Sequence, residues 1–251
     1  MYVLLSMDLS RVRYIAEATD EQLRDESWLE KLVVKLGFND ELLHEQPAIV
    51  KGNTGGLKIW QYPNQFSKYM NRILAKYPIT SYLEIGCRWG GTFVLTMEYL
   101  KKVQAQAQAQ GQAGICGVAV DIETSTVQEY CDMYPSQASF LKMNSLSQEF
   151  KDYMSDKRFD LVFIDGDHSY EAVIADFETT KDHGSIFVFH DISSPAVCPG
   201  VGKAWHEIKA SYADDFDFYE FTDQYEDVMQ STGTTYLGMG VAVKKQWVAA
   251  V

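Results

Sequence analysis

From Ser81 onward the chain alternates short, almost wholly apolar runs with longer stretches in which apolar residues recur every third or fourth position. The first kind reads as buried strands and the second as amphipathic helices, and their alternation predicts a parallel sheet wrapped by helices. The predicted strands are SYLEIG (81–86), ICGVAVDI (115–122), ASFLKMN (138–144), FDLVFID (159–165) and SIFVFHD (185–191). Between the first two lies VQAQAQAQGQAG (103–114), a tract of good helix formers that is expected to prolong the preceding helix into solvent until Gly111 and Gly114 end it. After the fifth strand the pattern gives a helix over VGKAWHEIKASY (201–212), with Trp205 on its buried face and His206 on another side. FDFYEF (216–221) and YLGMGVAV (236–243) then follow with only a polar loop between them, which predicts an antiparallel edge.

The chain before Ser81 reads as helical. Thr19 and Gln22 have capping-box spacing, Leu23, Leu29, Leu32, Val33 and Leu36 follow on one face, and Gly37 is a stop. KGNTGG (51–56) has the composition of a flexible joint, and a further helix is predicted from Pro63, with Phe66, Tyr69, Met70, Ile73 and Leu74 on one side and Pro78 ending it. The expected organisation is an N-terminal helical appendage over 1–56 and one α/β domain over 57–251, with a doubly wound, mostly parallel, seven-stranded sheet. The appendage's apolar face would serve either a homodimer contact or this subunit's own core. The 251 residues are 46% hydrophobic, enough for one sizeable core, and carry a formal net charge of −13. That charge would repel a phosphate backbone or an anionic membrane surface, so neither nucleic acid nor membrane is an expected partner. No segment has the length and apolarity of a membrane span or a secretion signal, and a cytoplasmic location is expected. Cys87, Cys116, Cys131 and Cys198 form no CxxC pair, so reduced thiols are expected rather than a zinc or disulfide framework.

In open α/β sheets ligands bind beyond the carboxyl ends of the strands. The first strand ends in LEIGCRWGGTF, which supplies Glu84 and then Gly86, Gly90 and Gly91 at a strand-to-helix turn. The spacing is neither GxGxxG nor a phosphate loop ending in GK[ST]. The second strand ends in Asp121, where an acid can accept hydrogen bonds from two ribose hydroxyls. A glycine turn with no diphosphate cradle, followed one βα unit later by that acid, favours S-adenosylmethionine over NAD. Asn144 and Ser145 end the third strand, where they would bracket an adenine or simply form a turn or helix cap. The fourth strand delivers Asp165, Asp167 and His168 within FIDGDHSYEAVIADFE, and the fifth delivers His190 and Asp191. Each has an ordinary structural reading as cap, turn former or core-edge group. Together, three aspartates and two histidines aimed at one region are costly unless they pair, bind a cation or handle protons.

YLEIGCRWGGTF, AVDIE, FIDGDHSYEAVIADF and IFVFHDI, in that order, resemble the class I S-adenosylmethionine-dependent methyltransferases. The resemblance is to the small-molecule O-methyltransferase-like group that includes macrolide-sugar methyltransferases and cephalosporin hydroxylase-like proteins, and it runs from about Trp60 to Val243. It implies methyl transfer to a hydroxyl of a small-molecule acceptor, a sugar or specialised metabolite. Glu84, Gly86 and Gly90 would then line the methionine end of the cofactor and Asp121 would hold its ribose, with Asn144 and Asp165 also on the cofactor side. Metal-dependent members bind magnesium at the ends of the fourth and fifth strands, which selects Asp165 and Asp191 here; His190 departs from their carboxylate pattern. His168 is the first candidate for general base, because its ordinary pKa lies nearest neutrality, and Asp167 the second. Two alternatives stand beside this expectation: a protein that binds S-adenosylmethionine without turnover, and an NAD-dependent oxidoreductase. Trp60, Tyr62, Tyr225 and Tyr236 fall where an acceptor pocket would be built, or are ordinary packing.

Overall fold

The computed structural model describes residues 6–39, 45–105 and 114–246. Seven strands form one sheet in the order β3-β2-β1-β4-β5-β7-β6: β1 Ser81–Ile85, β2 Cys116–Asp121, β3 Ala138–Lys142, β4 Phe159–Ile164, β5 Gly184–His190, β6 Phe216–Phe221 and β7 Met239–Lys244. The first five are mutually parallel, and β7 runs antiparallel between β5 and β6. The expected doubly wound sheet with an antiparallel edge is therefore the observed one. Strand order reverses between β1 and β4, each reached from its neighbour by a helical crossover, and the carboxyl ends beside that reversal open a crevice. β4 and β5 are buried along their whole length, which is why both are largely apolar, with Asp160 and Ser185 near their starts as polar exceptions.

The helices in chain order are α1 Arg13–Ala16, α2 Glu26–Leu36, α3 Pro63–Tyr69, α4 Gly91–Val103, α5 Val127–Met133, α6 Gln148–Met154, α7 Tyr170–Thr180, α8 Pro199–Ser211 and α9 Glu226–Thr232. Strand alternation divides the core in two. Tyr82, Ala119, Leu161, Phe163, Ile186 and Val188 point to a face covered by α1 to α5. Leu83, Ile85, Val120, Val162, Phe187 and Phe189 point to the opposite face, under α6, α7 and α8. Trp205 of α8 is 1% exposed and donates its indole N–H to Glu220, while His206 is exposed, as the helical spacing requires.

Near the amino terminus the capping box forms. Thr19 N donates to Gln22 Oε1 at 2.9 Å and Gln22 N to Thr19 Oγ1 at 3.2 Å. It opens only a 3-10 turn, Gln22–Arg24; Asp25 then caps α2 by accepting from the backbone N–H of Ser27 and Trp28. Leu29, Leu32, Val33 and Leu36, at i, i+3, i+4 and i+7, bury into the same core as β1 and β4. α3 continues through a π-turn, Met70–Leu74, so its apolar face reaches Leu74.

The KGNTGG segment departs from its expected looseness. Gly55 N donates to Phe38 O at 2.8 Å, Leu57 N to Leu36 O at 2.9 Å and Ile59 N to Gly37 O at 3.0 Å, which pins the segment along the end of α2. The glycines serve close approach rather than flexibility: a Cβ on Gly56 would stand 2.2 Å from Leu36 O. The glutamine-alanine tract from residue 106 to 113 lies outside the described residues; α4 itself ends at Val103. Among the described residues no helix is long and apolar enough to cross a membrane.

Candidate active site

The carboxyl ends of β1 to β5 converge on a cavity of about 990 Å³ lined by Glu84, Gly86, Gly90, Asp121, Asn144, Asp165, Asp167, His168, His190 and Asp191. Every residue expected to hold the cofactor or a metal or to act as base thus faces one space. At the upper end of the usual range for ligand sites, roughly 300–1,000 Å³, the cavity has room for two ligands at once. The non-glycine residues with left-handed backbone among those described are Lys58, Arg88, Asp191 and Leu237, and all four line it. Backbone held in this sparsely populated region concentrates at functional sites.

The first strand enters the cavity through a tight turn. Gly86 has φ +83°, and a Cβ there would lie 2.0 Å from Asp165 O. The β1 and β4 ends are tied by Asp165 N donating to Ile85 O at 2.9 Å. Glu84, 2% exposed, accepts a hydrogen bond from the Tyr82 hydroxyl. Burial pushes its pKa well above the usual carboxylate range, against the opposing hydrogen bond from Tyr82, and so favours its protonated form. Asp121 fastens the turn from the other side: Oδ2 accepts from Arg88 N at 2.7 Å and Oδ1 from Glu123 N at 2.9 Å. A carboxylate has about four acceptor directions, so Asp121 can still take two hydroxyl donors. Asn144 Oδ1 accepts from Leu146 N at 2.9 Å, an Asx-turn that fixes its loop at the cavity's edge.

At the other end lies a compact charge cluster. Asp165 Oδ1 is 3.2 Å from both His168 Nε2 and His190 Nδ1. Asp191 Oδ2 is 3.5 Å from His168 Nδ1 and from His190 Nδ1, and its Oδ1 accepts from the Ser194 hydroxyl at 2.7 Å. Burial works against an imidazolium at His168, but hydrogen bonds to Asp165 and Cys198 and the charges of Asp165 and Asp191 outweigh it and push the pKa up to about 11. His190 is raised to about 10 against the same burial, by Asp165 and Asp191. Burial opposes ionisation of Asp165 and Asp191 as well, yet the two imidazoles hold both carboxyls below their usual range. As built, the cluster is two carboxylates with two imidazoliums, almost neutral as a whole. His190 Nε2 is buried with no hydrogen-bond partner, which leaves one unused polar group at the cavity wall. Asp167 is exposed and accepts from Ser169 N at 2.8 Å, while Ser169 is the residue that caps α7.

Asp165, His190 and Asp191 each place one ligand atom within 4.8 Å of the others, and so do His168, Asp191 and Cys198. Their mixture of carboxylate with imidazole or thiolate suits transition metals better than magnesium, which takes oxygen ligands. The magnesium pair expected at Asp165 and Asp191 therefore fits in its oxygens, but an imidazole stands where a third carboxylate would complete it.

Sequence reading missed Cys198, whose Sγ is 2.9 Å from His168 Nδ1, and Ser194 on Asp191. Both lie in a loop with no periodicity or spacing that would single them out. Of the aromatic residues considered for an acceptor pocket, Tyr62 is fully buried and packs edge-on against Tyr225, whereas Trp60 and Tyr236 line the cavity.

Residues 83–192 match the family model described as a methyltransferase domain. An uncharacterised protein of Acanthamoeba polyphaga mimivirus is 29% identical over 147 residues, 55% of this chain and 65% of that protein, so the chain spans 65% of that relative's length. Among solved structures, the O-methyltransferase TomG from Streptomyces achromogenes, in complex with SAM, superposes with a TM-score of 0.53 at 15% identity, over 90% of this chain and 99% of that one. Cofactor-bound Rv0187 from MTB gives a TM-score of 0.50 at 13% identity, over 70% of this chain and 78% of that one. At such identities these likenesses establish the fold alone: the seven-stranded sheet described above is the one shared with these structures. The segment from Leu83 to Ile192, which carries the β1 to β5 ends that line the cavity, is the part of the chain that matches this methyltransferase-domain model.

Proposed function

We propose that the protein transfers a methyl group from S-adenosylmethionine to a hydroxyl oxygen of a small-molecule acceptor. The observation that carries the reading is the convergence, in one cavity, of a diphosphate-free glycine turn, a ribose-competent Asp121 and a proton-handling cluster. The match to a methyltransferase domain over 83–192 supports it, as does the fold shared with an O-methyltransferase crystallised with SAM. The bound cofactor supplies a sulfonium-linked methyl for in-line displacement. In this reading Asp121 accepts from the ribose hydroxyls, Gly86 and Gly90 let the backbone approach the cofactor, Glu84 lines its methionine end beside them, and Asn144 borders the adenine. The acceptor hydroxyl lies at the His168 end, where Asp165 and Asp191 orient the imidazole.

His168 must shed its own proton before it can take one from the acceptor. A cation bound alongside favours that loss, because it disfavours a second positive charge. Asp167, exposed at the same edge, is the second candidate for base. A divalent cation, if used, would be held by Asp165 and Asp191 and would lower the pKa of the acceptor hydroxyl.

Calorimetry of S-adenosylhomocysteine and NADH, each with magnesium and with chelator, tests the cofactor assignment; binding of the homocysteine compound alone is expected. Asp121→Ala should weaken that binding by about tenfold to a hundredfold. His168→Ala should leave it within about twofold while lowering methyl transfer, in a screen of phenolic and sugar hydroxyls, by about 10²-fold or more. Equal loss of affinity in both variants would contradict this division of roles, and NADH binding without S-adenosylhomocysteine binding would restore the oxidoreductase alternative.

A further inference from the structure

The methyl-transfer roles use the Asp165–Asp191 end of the cavity and do not involve Lys58, Arg88, Trp60 and Trp89, which also line it. Lys58 lines the cavity and is 7% exposed, and among the described residues its ammonium pairs with no carboxylate. Its close neighbour is the ring of Trp89, 5.9 Å from Nζ to the centroid. Trp89 stacks on Trp60 at 5.4 Å and 25°, and the Arg88 guanidinium lies 4.2 and 4.9 Å from the two ring centroids.

The loop that carries Lys58 is fixed in place. Lys58 N donates to Gly55 O at 3.0 Å, and the flanking residues bond back to Leu36 and Gly37. Gly91, the first residue of α4, approaches so closely that a Cβ there would lie 2.2 Å from Leu57 O and 2.9 Å from the Lys58 carbonyl carbon. The Lys58 backbone therefore packs against the amino end of a 13-residue helix, which fixes where its side chain enters the cavity. An enclosed ammonium is costly, and since no carboxylate among the described residues pairs with this one, a ligand that brings negative charge lowers that cost.

We infer that Lys58, with Arg88 and the Trp60–Trp89 pair, forms an anion subsite that takes a carboxylate carried by a planar methyl acceptor. The inference rests on the methyl-transfer reading and specifies its acceptor. A carboxylate could also come from the amino-acid tail of the cofactor. That tail is a zwitterion, however, and its ammonium would be driven against Lys58. A lone carboxylate on the acceptor matches the charge, and its flat ring matches the stacked indoles, whose faces also attract the two cations that grip it.

The test compares 3,4-dihydroxybenzoate with catechol, which differ by the carboxylate, in calorimetric binding to protein saturated with S-adenosylhomocysteine. Wild-type protein should prefer the carboxylate probe by about tenfold or more. Lys58→Met should abolish that preference, Lys58→Arg should retain most of it, and thermal melts report that each variant is folded. Equal binding of the two probes, or binding of neither, overturns the inference. So does a Lys58→Met protein that loses affinity for S-adenosylhomocysteine but not for methylthioadenosine, which lacks the amino-acid tail, because Lys58 would then serve the cofactor. Wild-type protein that binds no S-adenosylhomocysteine sinks the methyl-transfer reading alone; a Lys58-dependent preference for the carboxylate probe in that unliganded protein would still support the anion subsite.

Discussion

Asp176 lies within the FIDGDHSYEAVIADFE stretch, yet it stands behind the cavity rather than in it. Neither buried carboxylate oxygen has a hydrogen bond of good geometry, and burial pushes its pKa up to about 6 from 3.8 against the opposing pull of the Ser145 hydroxyl. The sign follows from proton linkage. Below about pH 4 both folded and unfolded chains hold the proton and the group costs nothing. Between about pH 4 and 6 the unfolded chain releases its proton first, so stability falls, and above that range the loss levels off at about 3 kcal/mol. Asp176→Asn should therefore gain up to about 2–3 kcal/mol at pH 8 and almost nothing at pH 4. Urea unfolding of both proteins at the two pH values measures this; a gain independent of pH would assign the effect to something other than the charge. The burial of Asp176 was already readable in the helical stripe, since it falls four residues after Ala172, between Val173 and Thr180 on the same buried side. Its lack of a good hydrogen bond was not, because helix spacing says nothing about what faces it across the packing.

At the level of elements, the junction of β1 with β4 determines whether the cavity exists. Gly86 combines φ +83° with an approach to Asp165 O that leaves no room for a Cβ. Gly86→Ala should cost about 2–4 kcal/mol and also weaken S-adenosylhomocysteine binding, because relief of the clash pushes the two strand ends apart. Gly233, with φ +72° at the end of α9 and open space around it, makes the contrast. There an alanine should cost only about 1–2 kcal/mol, the price of left-handed backbone, and leave binding intact. Unfolding and calorimetry on the two variants decide it; unchanged affinity in Gly86→Ala would mean that the strand ends do not shape the site. The strands themselves were readable because β4 and β5 are covered on both faces and are largely apolar until they emerge into the cavity, Asp160 near the start of β4 being buried but paired with Thr80 N and Ser81 N. That same rule located Asp165, His190 and Asp191. The 51–59 loop was not readable in this way: glycine composition signals conformational freedom, and only the fold shows Gly56 and Gly91 spending it on close approach. Lys58 stayed unremarked for the same reason.

Across the whole molecule, the amino-terminal helices and the sheet share one core. Leu29, Leu32, Val33 and Leu36 are each at most 3% exposed and lie in the same cluster as Tyr69, Tyr82 and Leu161. Tyr99 of α4 donates its hydroxyl to Leu23 O at 2.8 Å, and the Arg72 guanidinium meets Glu26 at 2.6 and 3.0 Å. The apolar stripe that suggested a partner subunit is thus consumed inside the chain. We propose that the amino-terminal segment, over its described residues 6–39 and 45–56, is an appendage in sequence but a structural wall in the fold: it covers α3 and holds the loop that presents Lys58. A chain of residues 57–251 would expose Phe66, Tyr69, Met70 and Ile73, all fully buried in the whole protein. An apolar patch of that kind invites association. The truncated chain should therefore be insoluble, or bind a hydrophobic dye and lack near-ultraviolet dichroism, and should not bind S-adenosylhomocysteine. A soluble, cooperatively unfolding 57–251 with a midpoint within a few degrees of the full chain would show instead that the sheet and its own helices close the core unaided, and that the first segment serves some other surface.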